Sequence, residues 1–174
     1  MPVASSSTYD AIVVGVGGMG SAALYHLMRR GARRVLGVER FTIPNDQGSS
    51  HGQSRIIRLA YWEHPGYVPL LRRAYELWHD LEAQAGETLL VTTGNVDAGQ
   101  ADSPAVAGVL RACQMFDLPH DRYDGESLRA RFPGCRLPAD FVAVYQPQGG
   151  FLLPERCITA HVAAAQRAGA EVKV

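Results

Sequence analysis

Apolar and polar positions alternate along the first forty residues in a way that predicts a strand, a helix and a second strand. Residues 10–16, DAIVVGV, form a short β-branched apolar run, which is typical of a buried strand. A helix is predicted over residues 19–30, with Gly31 as its stop, and a second strand over residues 34–39. Because such a unit of about 30 residues is a crossover connection, we expect the two strands to be parallel neighbours.

The rest of the chain alternates between helical periodicity and short strand-like runs. Residues 41–54 are rich in Gly, Ser, Asn and Pro, which predicts a loop. Ser103 before Pro104 predicts a capped helix start. Further helices are predicted over 67–85, 103–116, 124–131 and 154–168, and strands over 88–94, twice within 141–153 around a glycine turn, and from 170 onward.

This order of elements predicts an α/β protein that opens with a Rossmann-like βαβ unit. A fold that opens in this way normally continues through several more units before its sheet is complete. Here the final residues, AEVKV, predict the beginning of another strand. We therefore interpret the sequence as the N-terminal part of a longer protein, with a truncated fold and an open strand edge.

Composition narrows the function classes. Of 174 residues, 47% are hydrophobic and 20% charged, and 17 Lys+Arg balance 17 Asp+Glu, which argues against a nucleic-acid binder or a basic membrane-surface protein. No apolar run approaches the roughly 18 residues that span a bilayer, and the first ten residues lack the features of a signal peptide. Three widely spaced cysteines predict neither a zinc site nor a disulfide framework, and they favour a reducing compartment.

The turn after the first predicted strand carries the glycine pattern of dinucleotide-binding proteins. Gly15, Gly17 and Gly20 stand as G-x-G-x-x-G, which permits a tight turn, close approach of a diphosphate and close packing of helix on strand. Glu39 ends the second predicted strand, where a carboxylate accepts hydrogen bonds from ribose hydroxyls and disfavours a 2′-phosphate. The sequence thus predicts dinucleotide binding, with NADP the least favoured ligand. The alternative is a structural turn without a ligand.

A second candidate segment, GSSHGQSRIIR, follows at residues 48–58. If it is helical, His51, Arg55 and Arg58 point the same way; if it is extended, the two arginines face opposite sides. The two isoleucines between them favour burial, and partly buried guanidinium groups need anionic or planar partners. A dinucleotide phosphate, a flavin ring or a substrate carboxylate would serve. Alternatively, both arginines pair on an ordinary surface with carboxylates such as Glu63 or Asp80.

Three segments of the chain resemble one enzyme family. DAIVVGVGGMGSAALYHL, GVERF and GSSHGQSRIIRLAY are similar to the start of the monomeric sarcosine oxidase family, which includes N-methyltryptophan oxidase and pipecolate oxidase among the FAD-dependent amine oxidoreductases. RFPGCRLPADFVAVYQPQGGFLLPERCITAH resembles the later segment where the substrate domain returns to the FAD domain. Residues 1–9 are polar, which predicts a flexible lead-in. The resemblance implies FAD-binding segments at 10–86 and 149–174, and part of an α+β substrate domain at 87–148.

The resemblance also implies an activity. Such an enzyme oxidises the C–N bond of a secondary amino acid, N-methyl or cyclic, with FAD as cofactor, molecular oxygen as acceptor and hydrogen peroxide as product. It implies a monomer that acts on a small-molecule substrate, in the cytoplasm of a bacterium or the peroxisome of a eukaryote. The alternatives are an NAD-linked dehydrogenase that shares only the βαβ start, or a non-catalytic dinucleotide-binding fragment.

Site residues follow from the resemblance by position. It implies a pyrophosphate cradle formed by Gly15, Gly17, Gly18, Met19 and Gly20, and a ribose-binding acid, Glu39. The residues that it places beside or in contact with the flavin are Ser50, His51, Arg55 and Ile56. It also implies that Arg55 and Arg58 are catalytic and that Arg58 binds the substrate carboxylate.

Two features depart from the family pattern. The family usually has Gly or Ala where this chain has Leu24, so we expect some crowding of helix against sheet. The family also attaches FAD covalently to a cysteine in its C-terminal half. None of Cys113, Cys135 and Cys157 stands in a matching context, so the attachment residue is not expected within this chain.

Overall fold

The computed structural model describes residues 8–174, which form two compact units. In chain order the elements are β1 (Ala11–Val14), α1 (Gly18–Arg29), β2 (Val35–Val38), β3 (Arg55–Ile57), α2 (Tyr67–Ala85), β4 (Leu90–Thr92), β5 (Asn95–Gln100), α3 (Pro104–Phe116), β6 (Asp121–Asp124), α4 (Gly125–Arg131), β7 (Phe141–Gln146), β8 (Gly150–Leu152), α5 (Pro154–Arg167) and β9 (Glu171–Lys173).

The first unit contains the chain up to Arg55 together with Asp80–Leu89 and Leu152–Val174, and the second contains Ile56–His79 and Leu90–Phe151. This division differs from the predicted segments chiefly because Ile56–His79 groups with the second unit rather than with the dinucleotide-binding part. None of the helices within residues 8–174 has the length and apolar character needed to cross a membrane.

Most of the predicted lead-in, residues 1–7, lies outside the described residues. Tyr9, which the prediction also placed in the lead-in, is held by side-chain contacts. Its hydroxyl donates a hydrogen bond to Glu171 Oε2 at 2.7 Å, and the Arg34 guanidinium lies 4.7 Å from the centre of its ring.

The first unit is built on a parallel sheet with strand order β1-β2-β9. The register places Ala11 opposite Val35 and Leu36 opposite Glu171, which confirms the predicted parallel crossover. Helix α1 packs against α5. Gly31, with φ +92°, follows the last turn of α1 in a conformation that favours glycine.

Strand β1 is less buried than its apolar run predicts. Ile12 is 58% exposed and Val14 86% exposed, so the prediction of a buried strand is wrong for these side chains. Their neighbours along the strand are half-buried, which is the alternation of a strand with one covered face.

The crowding expected at Leu24 is absent because the facing strand carries a glycine. Leu24 is fully buried in α1. A Cβ atom at Gly37 of β2 would lie 3.3 Å from Leu24 Cδ2 and 3.1 Å from Val16 Cγ2. The missing side chain at Gly37 therefore leaves the space that the larger residue on the helix occupies.

The second unit is built on an antiparallel sheet with strand order β5-β7-β6, on which α3 packs. Ser103 Oγ accepts a hydrogen bond from the Val106 amide at 3.4 Å, which is the predicted helix cap. A Cβ atom at Gly108 would overlap the carbonyl oxygen of Trp62, so the glycine permits close approach of the two segments. The core of this unit consists of Leu59, Ala60, Val68, Val106, Val109, Ala112, Cys113, Leu118 and Val144.

The two strands predicted within 141–153 are present but do not pair with each other. Strand β7 belongs to the β5-β7-β6 sheet, whereas β8 lies between β3 and β4 in a separate sheet. Strands β5 and β6 were not predicted, because NVDAGQ and DRYD carry too few apolar residues to show an alternating pattern.

Candidate functional site

The glycine loop has the backbone geometry that a diphosphate site needs. Gly15 has φ +87°, a conformation that side chains rarely adopt. A Cβ atom at Gly20 would overlap the Gly15 carbonyl oxygen, so only glycine allows α1 to approach β1 this closely. At Gly17, by contrast, a Cβ would meet no atom within 4 Å, so the backbone there faces open space.

The first turn of α1 begins at Gly17 without a side-chain cap and contains no acidic residue. Helix N-termini leave several amide groups without intrahelical partners, and the helix dipole favours negative charge beside them. The loop therefore presents donors and positive potential to an anionic group, as the glycine pattern predicts.

A cavity of about 210 Å³ lies against this helix start. That volume suits a diphosphate with its immediate neighbours rather than a whole dinucleotide, since pockets for drug-sized ligands have roughly 300–1,000 Å³. The cavity is lined by the glycine turn, the first residues of α1, the loop that follows β2 and one residue of α5: Val16, Gly17, Gly18, Met19, Pro44, Asn45, Gly48, Ser49, Ser50 and Ile158.

Glu39 is joined directly to the glycine loop. Its Oε2 accepts a hydrogen bond from the Val16 amide at 2.7 Å, and its Oε1 accepts from the amides of Arg40 at 2.7 Å and Phe41 at 3.1 Å. These bonds, with that from Val16 the strongest, hold the pKa of Glu39 below its usual value. The ionised carboxylate keeps lone pairs with which it can accept a hydrogen bond from a hydroxyl group.

The loop over residues 48–54 is held in place by hydrogen bonds from the Arg55 side chain to main-chain carbonyl groups. Its Nε donates to the Ser49 carbonyl oxygen at 3.1 Å, its Nη2 donates to the same oxygen, and its Nη1 donates to the Ser54 carbonyl oxygen at 2.7 Å. Within this loop, Ser50 packs against the backbone of Gly18, where a Cβ would lie only 2.9 Å from the Ser50 Cβ. Ser50 is among the described residues that line the cavity, whereas its neighbour His51 is not.

Glu155 is a residue of this site that sequence reasoning missed. Its Oε1 accepts a hydrogen bond from the Gly52 amide at 2.8 Å, so it fixes the same loop from the first turn of α5. An acid in a first helical turn normally indicates only a favourable interaction with the helix dipole. Nothing in its local sequence distinguishes this additional role.

The structure settles how the GSSHGQSRIIR segment is arranged. Residues 48–54 form a loop, and the strand β3 begins at Arg55, so the helical alternative for the two arginines is wrong. Ile56 is 55% exposed and Ile57 is buried, so only the second isoleucine is buried as expected. Arg55 belongs to the first unit and Arg58 to the second.

Arg58 has partners from its own unit. Its guanidinium carbon lies 4.5 Å from the centre of the Tyr61 ring, and its Nε lies 3.5 Å from Asp97 Oδ1. The side chain is 14% exposed. Arg58 therefore lies near a carboxylate of the same chain, but this carboxylate is neither of the two acids considered from the sequence and the pair is not on an ordinary surface. Arg55 bonds to main-chain carbonyl groups instead, so the alternative in which both arginines pair with surface carboxylates does not hold.

Known proteins resemble the chain over nearly its whole length. The family model for FAD dependent oxidoreductases matches residues 10–173. The chain is 48% identical over 167 residues to monomeric sarcosine oxidase of Streptomyces avermitilis, covering 96% of this chain and 43% of that protein. It is 39% identical over 161 residues to N-methyl-L-tryptophan oxidase of Salmonella enteritidis, covering 92% and 43%.

Solved structures agree with the fold. NikD, an amino acid oxidase essential for nikkomycin biosynthesis, superposes with a TM-score of 0.83 at 28% identity, over 95% of this chain and 42% of NikD. L-proline dehydrogenase of P. horikoshii superposes with a TM-score of 0.76 at 22% identity, over 95% and 43%. The chain thus spans less than half the length of these relatives. The family expected from the sequence motifs is confirmed, and the chain belongs to the FAD-dependent oxidoreductases.

Proposed function

We propose that the protein is an FAD-dependent oxidase of a secondary amino acid, N-methyl or cyclic, such as sarcosine. The observation that carries the proposal is the cavity at the glycine loop, which is lined by Gly17, where a side chain would meet open space, and by Ser50 of the braced loop over residues 48–54. Family membership supports FAD as the dinucleotide and does not favour the NAD-linked alternative.

The first unit has the groups needed to hold FAD. We propose that the amides of Gly15–Gly20 and the start of α1 bind the diphosphate, and that Glu39 accepts hydrogen bonds from the ribose. Bound FAD supplies a two-electron acceptor, which protein side chains cannot provide. The place of Met19 in the pyrophosphate cradle remains a prediction carried by the family resemblance. So do the positions of His51 beside the flavin and of Ile56 in contact with it.

The two arginines are proposed to have different tasks. Arg55 braces the loop through the Ser49 and Ser54 carbonyl groups, and its charge is proposed to stabilise negative charge on the cofactor. Arg58 is proposed to hold the substrate carboxylate, because guanidinium groups match carboxylates through two parallel hydrogen bonds.

The remaining parts of the proposal concern the whole protein. Molecular oxygen is proposed as the electron acceptor and hydrogen peroxide as the product. A monomer is proposed because the relative from Streptomyces avermitilis is named monomeric sarcosine oxidase. Covalent flavin attachment outside this chain, and a cytoplasmic or peroxisomal location, remain predictions.

The test is to purify the full-length protein and measure its absorption spectrum and its peroxide production. We expect flavin absorption bands, and peroxide formation with at least one of sarcosine, N-methyl-L-tryptophan and L-pipecolate. Protein that contains flavin but forms peroxide with no secondary amino acid would contradict the proposed substrate class. Protein that takes up no FAD would contradict the proposed cofactor site.

A further inference from the structure

Arg58 is fixed from two directions within the second unit. One face of its guanidinium group is covered by Tyr61, at 4.5 Å from the ring centre. Its Nε atom is buried and lacks a hydrogen bond, with Asp97 Oδ1 at 3.5 Å. Among the described residues, no acceptor hydrogen-bonds to Nη1 or Nη2. The edge formed by these two nitrogen atoms is therefore the part of the group left for an external carboxylate.

Asp97 is itself held by two amide side chains. Its Oδ2 accepts hydrogen bonds from Asn95 Nδ2 at 2.8 Å and from Gln146 Nε2 at 3.0 Å. Asn95 and Asp97 stand two residues apart on β5, and Gln146 of β7 pairs opposite Asn95, so the three side chains share one face of the sheet. This arrangement fixes the orientation of the carboxylate and directs Oδ1 toward Arg58.

The same network holds the main chain that follows Arg58. Gln146 Oε1 accepts a hydrogen bond from the Ala60 amide at 2.9 Å, and its Nε2 lies 3.5 Å from the Ala60 carbonyl oxygen. Gln146 is almost fully buried, so these bonds are shielded from water. The segment and the guanidinium group of Arg58 are thus anchored to one buried polar cluster.

We propose that Asp97 is a positioning residue for substrate binding, which holds Arg58 so that its Nη1–Nη2 edge receives the substrate carboxylate end-on. This inference rests on the proposed function, in which Arg58 binds that carboxylate. By occupying the Nε side, Asp97 leaves one two-pronged edge and so restricts the substrate to one orientation.

Position 97 requires a carboxylate, because both of its oxygen atoms face donor groups. Asp97 Oδ2 faces the side-chain amides of Asn95 and Gln146, and Oδ1 faces the Arg58 guanidinium group. An asparagine has a single side-chain oxygen. If that oxygen accepts from Asn95 and Gln146, then its NH2 group faces the Arg58 guanidinium, and two donors oppose each other. Asp97→Asn therefore preserves shape while it removes the constraint on Arg58.

The experiment measures binding of methoxyacetate, a sarcosine analogue without an oxidisable amine, by calorimetry on the full-length holoenzyme. We expect Asp97→Asn to weaken binding about tenfold, the size expected for a hydrogen-bonded charged group. We expect KM for the amine substrate to rise more than kcat falls. Methoxyacetamide, which lacks the carboxylate, should show no such difference between the two proteins.

A double-mutant cycle tests whether Asp97 acts through Arg58. In an Arg58→Lys background, Asp97→Asn should cause little further loss, because the geometry that it maintains is already absent. Asp102→Asn is the matched control, since Asp102 is an exposed acid of the same unit and its replacement should leave methoxyacetate affinity unchanged. Flavin content and the unfolding midpoint are recorded for each variant, so that a folding defect is recognised separately.

Three outcomes would overturn the inference: additive losses in the cycle, unchanged methoxyacetate affinity in Asp97→Asn, or no methoxyacetate binding by the wild-type protein. If Asp97→Asn fails to fold, Asp97→Ala, which removes both acceptor oxygens, replaces it, and unchanged affinity there would equally contradict a role in positioning. Peroxide production by the wild-type protein from a secondary amino acid tests the proposed function separately, and it does not depend on the results for the Asp97 variants.

Discussion

At the scale of single residues, the sequence predicts what depends on local spacing. Glu39 bonds to the Val16 amide beside the glycines of the first turn, because the βαβ unit fixes their separation along the chain. Their roles in cofactor binding remain predictions. The pairing of Arg58 with Asp97 was not predictable, because β5 lacks an apolar alternation and its position beside β3 residues depends on tertiary packing. The residue pattern also could not reveal that Arg55 donates to main-chain carbonyl groups.

Two alanine substitutions should separate packing from cofactor binding. Gly20→Ala places a methyl group on the Gly15 carbonyl, so we expect a loss of stability of about 1–3 kcal/mol together with weaker FAD binding. Gly17→Ala has room for the methyl group, so we expect unchanged stability and FAD affinity at least about tenfold lower. Urea unfolding and flavin titration of the apoprotein measure both quantities. Gly134→Ala, also in open space, is the control, and equal FAD affinity in Gly17→Ala would contradict the proposed diphosphate contact.

Glu39→Gln should alter the pH dependence of stability. The folded protein holds the pKa of Glu39 below the value of 4.5 expected without these hydrogen bonds. The carboxylate therefore contributes stability above about pH 4.5, and this contribution is lost as the pH falls below that value. In urea unfolding at pH 7 and pH 4, wild-type protein should lose more stability between the two conditions than Glu39→Gln. An identical loss in the two proteins would show that the hydrogen bonds to Glu39 contribute little.

At the scale of elements, helices were predicted better than strand pairing. The bounds of α2 match the periodic pattern, and α3 begins at Pro104 directly after the predicted cap at Ser103, because caps, stops and apolar spacing are all local signals. The glycine turn near residue 149 indicated two strands but not their partners. Pairing is decided by the packing of distant segments, which a local turn does not specify.

The interface of α1 and α5 contains a histidine that should make stability depend on pH. His161 is 4% exposed, with Tyr25 and His26 of α1 at ring-centre distances of 5.4 and 6.1 Å. Burial, and to a lesser degree the nearby His26, lowers the pKa of His161 from 6.5 to about 4. As the pH falls from 6.5 to 4, the unfolded chain takes up a proton that the folded protein excludes, so the protein loses stability across this range.

His161→Gln should therefore flatten the dependence of stability on pH. The wild-type contribution lost between pH 6.5 and 4 is of the order of 3 kcal/mol, since one pKa unit corresponds to about 1.4 kcal/mol. Urea unfolding at several pH values in this range measures the slope. His64→Gln, which replaces an exposed histidine, should leave the slope unchanged. A steep slope retained in His161→Gln would assign the effect to other groups.

At the scale of the whole molecule, the sequence predicted the fold class and family but not the division into units. The boundary after Arg55 falls inside β3, where no glycine, proline or loop marks a break in the sequence. Helix α2 contributes Tyr67–His79 to one unit and its last turns to the other, although its periodicity is unbroken. Each unit consists of distant segments that pack together, and the periodicity of one segment carries no information about its distant packing partners.

Surface exposure across the chain gives a further test. Val14 is 86% exposed, whereas Val35 on the neighbouring strand is fully buried. In the 174-residue chain, Val14→Thr should change stability by less than about 0.5 kcal/mol, and Val35→Thr should cost about 1–3 kcal/mol because it buries a hydroxyl group. Urea unfolding compares the two. A large cost at Val14 would mean that this face of the sheet is covered in solution.

The loop that ends at Arg55 is tied near both ends and at its centre by hydrogen bonds within the protein, through Ser49, Ser54 and the bond from Gly52 to Glu155. A segment that is already ordered loses little conformational entropy when a ligand arrives. Capture of the dinucleotide should consequently resemble docking into a preorganised receptor, with an association rate governed by diffusion and electrostatic attraction rather than by slow loop closure.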